Sequence, residues 1–111
     1  MKLESIMKLG NIKEVTDNAI SKDIDLRGVY IGDLLSVVMG KAKEGQLWLT
    51  IQTHLNIIAV ASLLEVAAII VVEGMKVEEA TISKANEVGI PIFESDMSAY
   101  ELAKVLAEEG V

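Results

Sequence analysis

A chain of 111 residues, 51% of them apolar, can build one domain around its own core and is too short for two. Seventeen acidic residues against ten basic ones leave a net charge of -7. That balance argues against a nucleic-acid footprint, which needs clustered Lys and Arg, and against adsorption to anionic membranes. The chain has no cysteine and a single histidine, which removes disulfides, thiolate chemistry, the common structural zinc sites and most His-built metal centres.

Residues 1–6 show no apolar signal-peptide core. The longest apolar stretch, 57–72, is interrupted by Glu65 and is shorter than the roughly 20 residues of a spanning helix. A cytoplasmic location, with no membrane partner, is the expectation. Residues 2–9 read as a short helix closed by Gly10 and Asn11, and 12–16 as a first strand. Residues 17–24 are polar and turn-like. Residues 27–31 form a short strand containing Gly28. Gly32-Asp33 ends it, Asp33 sits where a helix N-cap belongs, 34–39 follow as a short apolar helix, and Gly40 stops that helix.

Gly45-Gln46 turns into a strand over 47–50, residues 51–54 form a loop, and 55–65 form the second main helix, with Thr53 as a plausible cap. The run 67–72, Ala-Ala-Ile-Ile-Val-Val, is continuously apolar, the pattern of a strand covered on both faces. Residues 78–88 read as an amphipathic helix with Thr81, Ile82, Ala85 and Val88 inward, Gly89 as its left-handed terminator and Pro91 preventing continuation. A last strand over 90–93 precedes a helix over 98–109, opened by Ser98 and Glu101 at capping-box spacing, with Ala99, Leu102, Ala103 and Leu106 inward. Strands alternating with helices predict right-handed crossovers. The fold class is α/β: one three-layer domain over 1–111, its mainly parallel sheet covered by helices on both faces.

In such a sheet the loops after the strand C-termini gather at one edge, where helix N-termini point. Those loops carry Asp33, Thr50, Thr53, His54, Asn56, Glu73 and Gly74, the candidate ligand-binding residues. Hydroxyls, an imidazole and a carboxamide beside free first-turn amides suit a small polar metabolite; local capping is the plainer alternative. His54 could serve as a general base oriented by Asp33, with Thr50 or Thr53 nearby, which defines a small-enzyme alternative. Glu73, Glu94 and Asp96 form no tight oxygen-rich loop, so no metal site is expected. The glycines complete neither G-x-G-x-x-G nor a P-loop, so no nucleotide cofactor is expected. The helix over 55–65 has almost no polar stripe, which points to cover by a second copy. Leu34, Val38, Ile57, Ile58, Ala61 and Leu64 are the candidate dimer-interface residues.

The block from Gly45 through Trp48, Thr50, His54 and Asn56, then Ala67 to Gly74, then Gly89-Ile90-Pro91-Ile92-Phe93, resembles the DRTGG domain, with Leu26 to Asp33 resembling the start of short standalone members. The resemblance covers about 25–106. It implies a compact α/β domain like the N-terminal domain of HPr kinase/phosphorylase, found also in phosphotransacetylases and between CBS domains of some pyrophosphatases. It implies a non-catalytic accessory unit that supports subunit association, without the separate P-loop domain in which that family's kinase chemistry resides. Thr53-His54 replaces the family's Asp-Arg pair, and Val72-Glu73-Gly74 replaces its Thr-Gly-Gly, so the best bidentate anion donor is missing. The expected function is a regulatory or ligand-sensing homodimer that signals to a partner protein, with a ligand-free interaction scaffold as the alternative.

Overall fold

The computed structural model describes residues 1–19 and 23–111, so residues 20–22 of the expected turn lie outside the described residues. A five-stranded sheet runs β1-β5-β4-β3-β2, with β1 at Ile12–Glu14, β2 at Val29–Ile31, β3 at Leu47–Thr50, β4 at Ala68–Val71 and β5 at Ile92–Ser95. The last four are mutually parallel, and β1 joins β5 antiparallel with Lys13 opposite Glu94. The helices are α1 (Leu35–Lys41), α2 (Asn56–Leu64), α3 (Glu79–Val88) and α4 (Ala99–Glu108).

Every residue of β3 and β4 is buried. Because side chains alternate across a strand, this fills two cores at once. Trp48, Ile69, Val71 and Ile92 face one layer with Val38 of α1, Ile57, Ile58, Val60 and Ala61 of α2, and Ala85 of α3. Leu47, Leu49, Ala68, Ile70 and Phe93 face the other, with Leu102 and Leu106 of α4 and with Leu3 and Ile6 of a 3₁₀ helix over Leu3–Lys8. The three-layer, mainly parallel α/β architecture expected from the sequence is the one found.

Local chemistry explains where elements stop. Gly45, at φ +79°, makes the turn into β3, its N–H donating to Glu65 O and its carbonyl accepting from Arg27 N. Gly89 ends α3 in the left-handed conformation at φ +80°. Pro91 precedes β5; its carbonyl still accepts from Ile69 N at 3.0 Å, and the next amide, Ile92 N, donates to the buried Thr16 Oγ1 at 3.0 Å. Thr16 in turn donates to Glu14 Oε2 at 2.6 Å, and the same carboxylate oxygen accepts from Ala19 N at 3.0 Å.

Several expected boundaries change. The N-terminal helix is 3₁₀, and the sheet's first strand is only three residues long. Gly40 does not stop α1: it lies inside the helix, which continues through Lys41 to an extended Ala42 whose N–H still donates to Val38 O. Val88 is exposed rather than inward, because Thr81 and Ala85 carry the buried face of α3. No helix among the described residues is long and apolar enough to cross a membrane.

Lys2 sits 2.9 Å from Asp23 and 3.1 Å from Asp25, and hydrogen bonds to these carboxylates raise its ammonium pKa above the ordinary lysine value. Any contribution to stability is therefore present below the unfolded-state pKa and disappears as pH rises through the higher folded value. Helix α4 opens with the expected capping box, Ser98 Oγ accepting from Glu101 N at 3.2 Å and Glu101 Oε1 from Ser98 N at 3.2 Å. Ser98→Ala is expected to lower unfolding free energy by about 1 kcal/mol in urea denaturation, with the denaturant slope unchanged.

Candidate functional site

The C-terminal ends of the parallel strands do gather the predicted loops, but in two groups. The first is a clasp between the ends of β2 and β3. Asp33 Oδ1 accepts from Thr50 Oγ1 and from Ile51 N, both at 2.9 Å. Gln52 Nε2 donates to Asp33 O at 2.9 Å, and Gln52 N donates to Thr50 Oγ1 at 3.1 Å. Asp33 is therefore not the cap of α1, whose N-cap position is Leu34 with no side-chain bond. The carboxylate closes the neighbouring loop instead. Just below it, the buried Trp48 donates its indole N–H to Gly32 O at 2.9 Å.

Thr53 does not cap α2 either. The N-cap position is Leu55, again without a side-chain bond. The backbone of Thr53 does the anchoring: its carbonyl accepts from the buried Thr81 Oγ1 at 2.9 Å and from Glu78 N at 3.4 Å. This ties the loop before α2 to the start of α3. His54 rides on that loop, mostly exposed, with Nε2 4.0 Å from Glu78 Oε1. Asn56 begins α2 and is exposed. The acidic neighbour of His54 among the described residues is Glu78 and not Asp33, so the Asp33–His54 pair required by the small-enzyme alternative is not formed.

The second group lies one strand further along. Glu73 and Gly74 are consecutive left-handed residues, φ +63° and +69°. They carry the chain from β4 toward the end of β5, where Glu73 N donates to Met97 O and Gly74 N to Ser95 O, each at 2.9 Å. Beside them is a groove of about 210 Å³ lined by Asn11, Lys13, Gly74, Lys76, Glu94 and Asp96 among others. Glu94 is only 11% exposed; its Oε2 accepts from Val77 N at 2.8 Å and its Oε1 lies 3.4 Å from Lys76 Nζ. Neither Lys13 nor Asp96 belongs to an ion pair among the described residues. Sequence reasoning missed Lys13 and Asn11 because an antiparallel strand from the far N-terminus delivers them. The only signal was the short β-like run at 12–16.

Of the candidate interface residues, Val38, Ile57, Ile58 and Ala61 are buried within their own domain and have no surface for a partner. An apolar helix was read as needing a second copy, but β3, β4 and the flanking helices already cover that side. Leu64 is partly buried, and Leu34 is 66% exposed. The apolar surface that remains open on α1 and α2 comprises Leu34, Val37, Met39, Leu55 and Leu63. Among the described residues no group of three or more His, Asp or Glu side chains converges on a point that could hold a metal ion.

No protein-family model matches the sequence, and no curated protein does. The fold is that of a solved structure: the CBS and DRTGG domains of the regulatory region of Clostridium perfringens pyrophosphatase, complexed with its activator diadenosine tetraphosphate. The two superpose with a TM-score of 0.76 at 16% sequence identity, over 95% of this chain and 45% of that one. This chain thus spans less than half the length of the structure it matches. The likeness agrees with the DRTGG resemblance read from the sequence.

Removing the clasp has a direct consequence. Asp33→Ala removes the acceptor of Ile51 N, which water can reach, and of the hydroxyl of the buried Thr50, and is expected to cost about 1 kcal/mol. Asp33→Asn, which keeps an acceptor oxygen, is expected to cost less. Thermal or urea unfolding of the two variants checks the order.

Proposed function

We propose that this chain is a non-catalytic regulatory module that self-associates, binds a small charged metabolite at the C-terminal edge of its sheet, and passes that state to a partner protein in the cytoplasm. The observation that carries the reading is the shared fold with a pyrophosphatase regulatory region across nearly the whole chain. The site chemistry is consistent with it. Asp33 and Thr50 are engaged in holding the loops, so the groups a hydrolytic or transfer reaction would need are committed to structure.

The groove beside Gly74 is a concavity of about 210 Å³ at the end of the predicted 73–74 loop. It offers an ammonium at Lys13 and a carboxylate at Asp96 that no ion pair among the described residues occupies. A ligand carrying charge of both signs, or an anion of modest size, fits that pattern. The loop 73–74 links the groove to β4 and β5, so occupancy would be felt in the centre of the sheet. His54 and Asn56, exposed at the head of α2, form the adjoining surface that a partner would read. A ligand-free scaffold is the alternative, favoured by the exposed apolar residues of α1 and α2.

The test is a thermal-shift panel of nucleotides, including diadenosine tetraphosphate, with amino acids and organic acids, followed by titration calorimetry of any hit. A bound compound whose affinity falls at least tenfold in both Lys13→Ala and Asp96→Asn supports the groove. A compound whose binding ignores both variants but collapses in His54→Ala moves the site to the head of α2. No shift across the panel leaves the scaffold reading.

A further inference from the structure

The two edges of the sheet are built differently. β1 has charged side chains at two of its three positions, Lys13 and Glu14, and charge on an edge strand deters pairing with another chain. β2, at the opposite edge, reads Val29-Tyr30-Ile31, without a charge or a proline. No strand lies outside it among the described residues. The N-terminal segment covers this side only upstream, where Leu26 N donates to Met1 O at 2.9 Å and Lys2 bridges Asp25.

The phase of β2 is fixed by its ladder. Leu47 N donates to Gly28 O at 2.9 Å, Gly32 N donates to Leu49 O at 3.2 Å, and Tyr30 lies opposite Trp48. Successive residues of a strand direct their backbone groups to opposite sides, so Gly28, Tyr30 and Gly32 bond toward β3 while the N–H and C=O groups of Val29 and Ile31 face outward. Apolar side chains are exposed nearby: Ile31 is 47% exposed and Leu34, just past the strand, 66%, while Val37 and Met39 of α1, 42% and 46% exposed, lie on opposite flanks of that helix, either side of the buried Val38. Between positions 28 and 40 the one charged residue is Asp33, whose carboxylate is held in the clasp. Two copies of a chain with net charge -7 repel across most of their surfaces, and meet here with the least repulsion.

We propose that the β2 edge pairs antiparallel with the β2 edge of a second copy, about a two-fold axis at Tyr30. This rests on the self-association in the functional reading above and gives it a location: two five-stranded sheets become one continuous sheet. In this register Tyr30 meets its counterpart as a non-hydrogen-bonded pair, and Val29 faces Ile31 on each side of the axis. Both of those flanking pairs exchange N–H and C=O groups in full. An axis perpendicular to the sheet keeps both α1 helices on one side, running antiparallel. A two-fold interface of ordinary size covers on the order of 800 Å² per partner. A three-residue edge falls short of that, and one exposed flank of α1, the outermost helix of its layer, supplies further area.

The chain lacks cysteine, so single-cysteine variants report on proximity without background. A non-hydrogen-bonded antiparallel pair places Cα atoms about 4.5 Å apart, within disulfide range. Three measurements decide the matter: light-scattering mass of the native chain, diamide cross-linking of Tyr30→Cys against an α2 control, Ala59→Cys, and the mass of Ile31→Lys. Ile31 is exposed, so that last variant keeps the fold even if Tyr30→Cys weakens it; circular dichroism confirms this. The proposal expects a native dimer, cross-linking at position 30 and not 59, and at least a tenfold weaker dimer for Ile31→Lys. A native dimer that Ile31→Lys leaves intact and that cross-links at 59 overturns the edge pairing while keeping self-association. A native monomer at high micromolar concentration overturns both.

Discussion

The structure depends on one constraint: β3 and β4 have no face to show to water. With all eight of their positions buried, their backbone groups must be satisfied by neighbouring strands and their side chains by layers above and below. Three crossover helices fill one side. The other side is closed by elements from opposite ends of the chain, the N-terminal 3₁₀ helix and α4. The placing of loops at one sheet edge, and of β1 and β2 at the flanks, follows from that central pair.

At the C-terminal edge, polar groups serve two purposes that the geometry separates. Asp33, Thr50 and Gln52 lock the ends of β2 and β3 together, and Thr81 locks the loop before α2 to α3. These bonds hold the loops still. Lys13 and Asp96, which join no ion pair among the described residues, lie toward β1 and β5 in the groove, and His54 stands exposed beside Glu78. The division leaves a rigid frame with a few charged groups at its rim.

Much of the fold was legible in the sequence because its signals were local. The unbroken apolar run at 67–72 marked the central strand, Gly89 with Pro91 marked the end of α3, and the Ser98–Glu101 spacing marked the start of α4. The misreadings were non-local. Gly40 looks like a stop, but a glycine that is free to stay helical does so when the next amides find their acceptors. Asp33 looks like a cap, but Ile51 N, eighteen residues away, competes for the same oxygen. The apolar α2 suggested a missing partner because sequence shows how greasy a helix is and not how much of it the sheet and α1 and α3 already cover. The candidate site was half legible for the same reason: strand ends locate loops, whereas the groove depends on an antiparallel strand whose position no local pattern announces.

The symmetric pairing we propose rests on a charged edge at β1 and an uncharged, open edge at β2. Backbone amide exchange followed by NMR tests it most directly, because neighbouring amides in β2 have different fates. Tyr30 N–H bonds to β3 in any case and serves as the internal reference. Pairing predicts that Val29 and Ile31 are protected to a similar degree as Tyr30, and that their protection fades on dilution. Fast exchange at Val29 and Ile31 at every concentration, beside a slow Tyr30, would show an edge that stays open and would contradict the account.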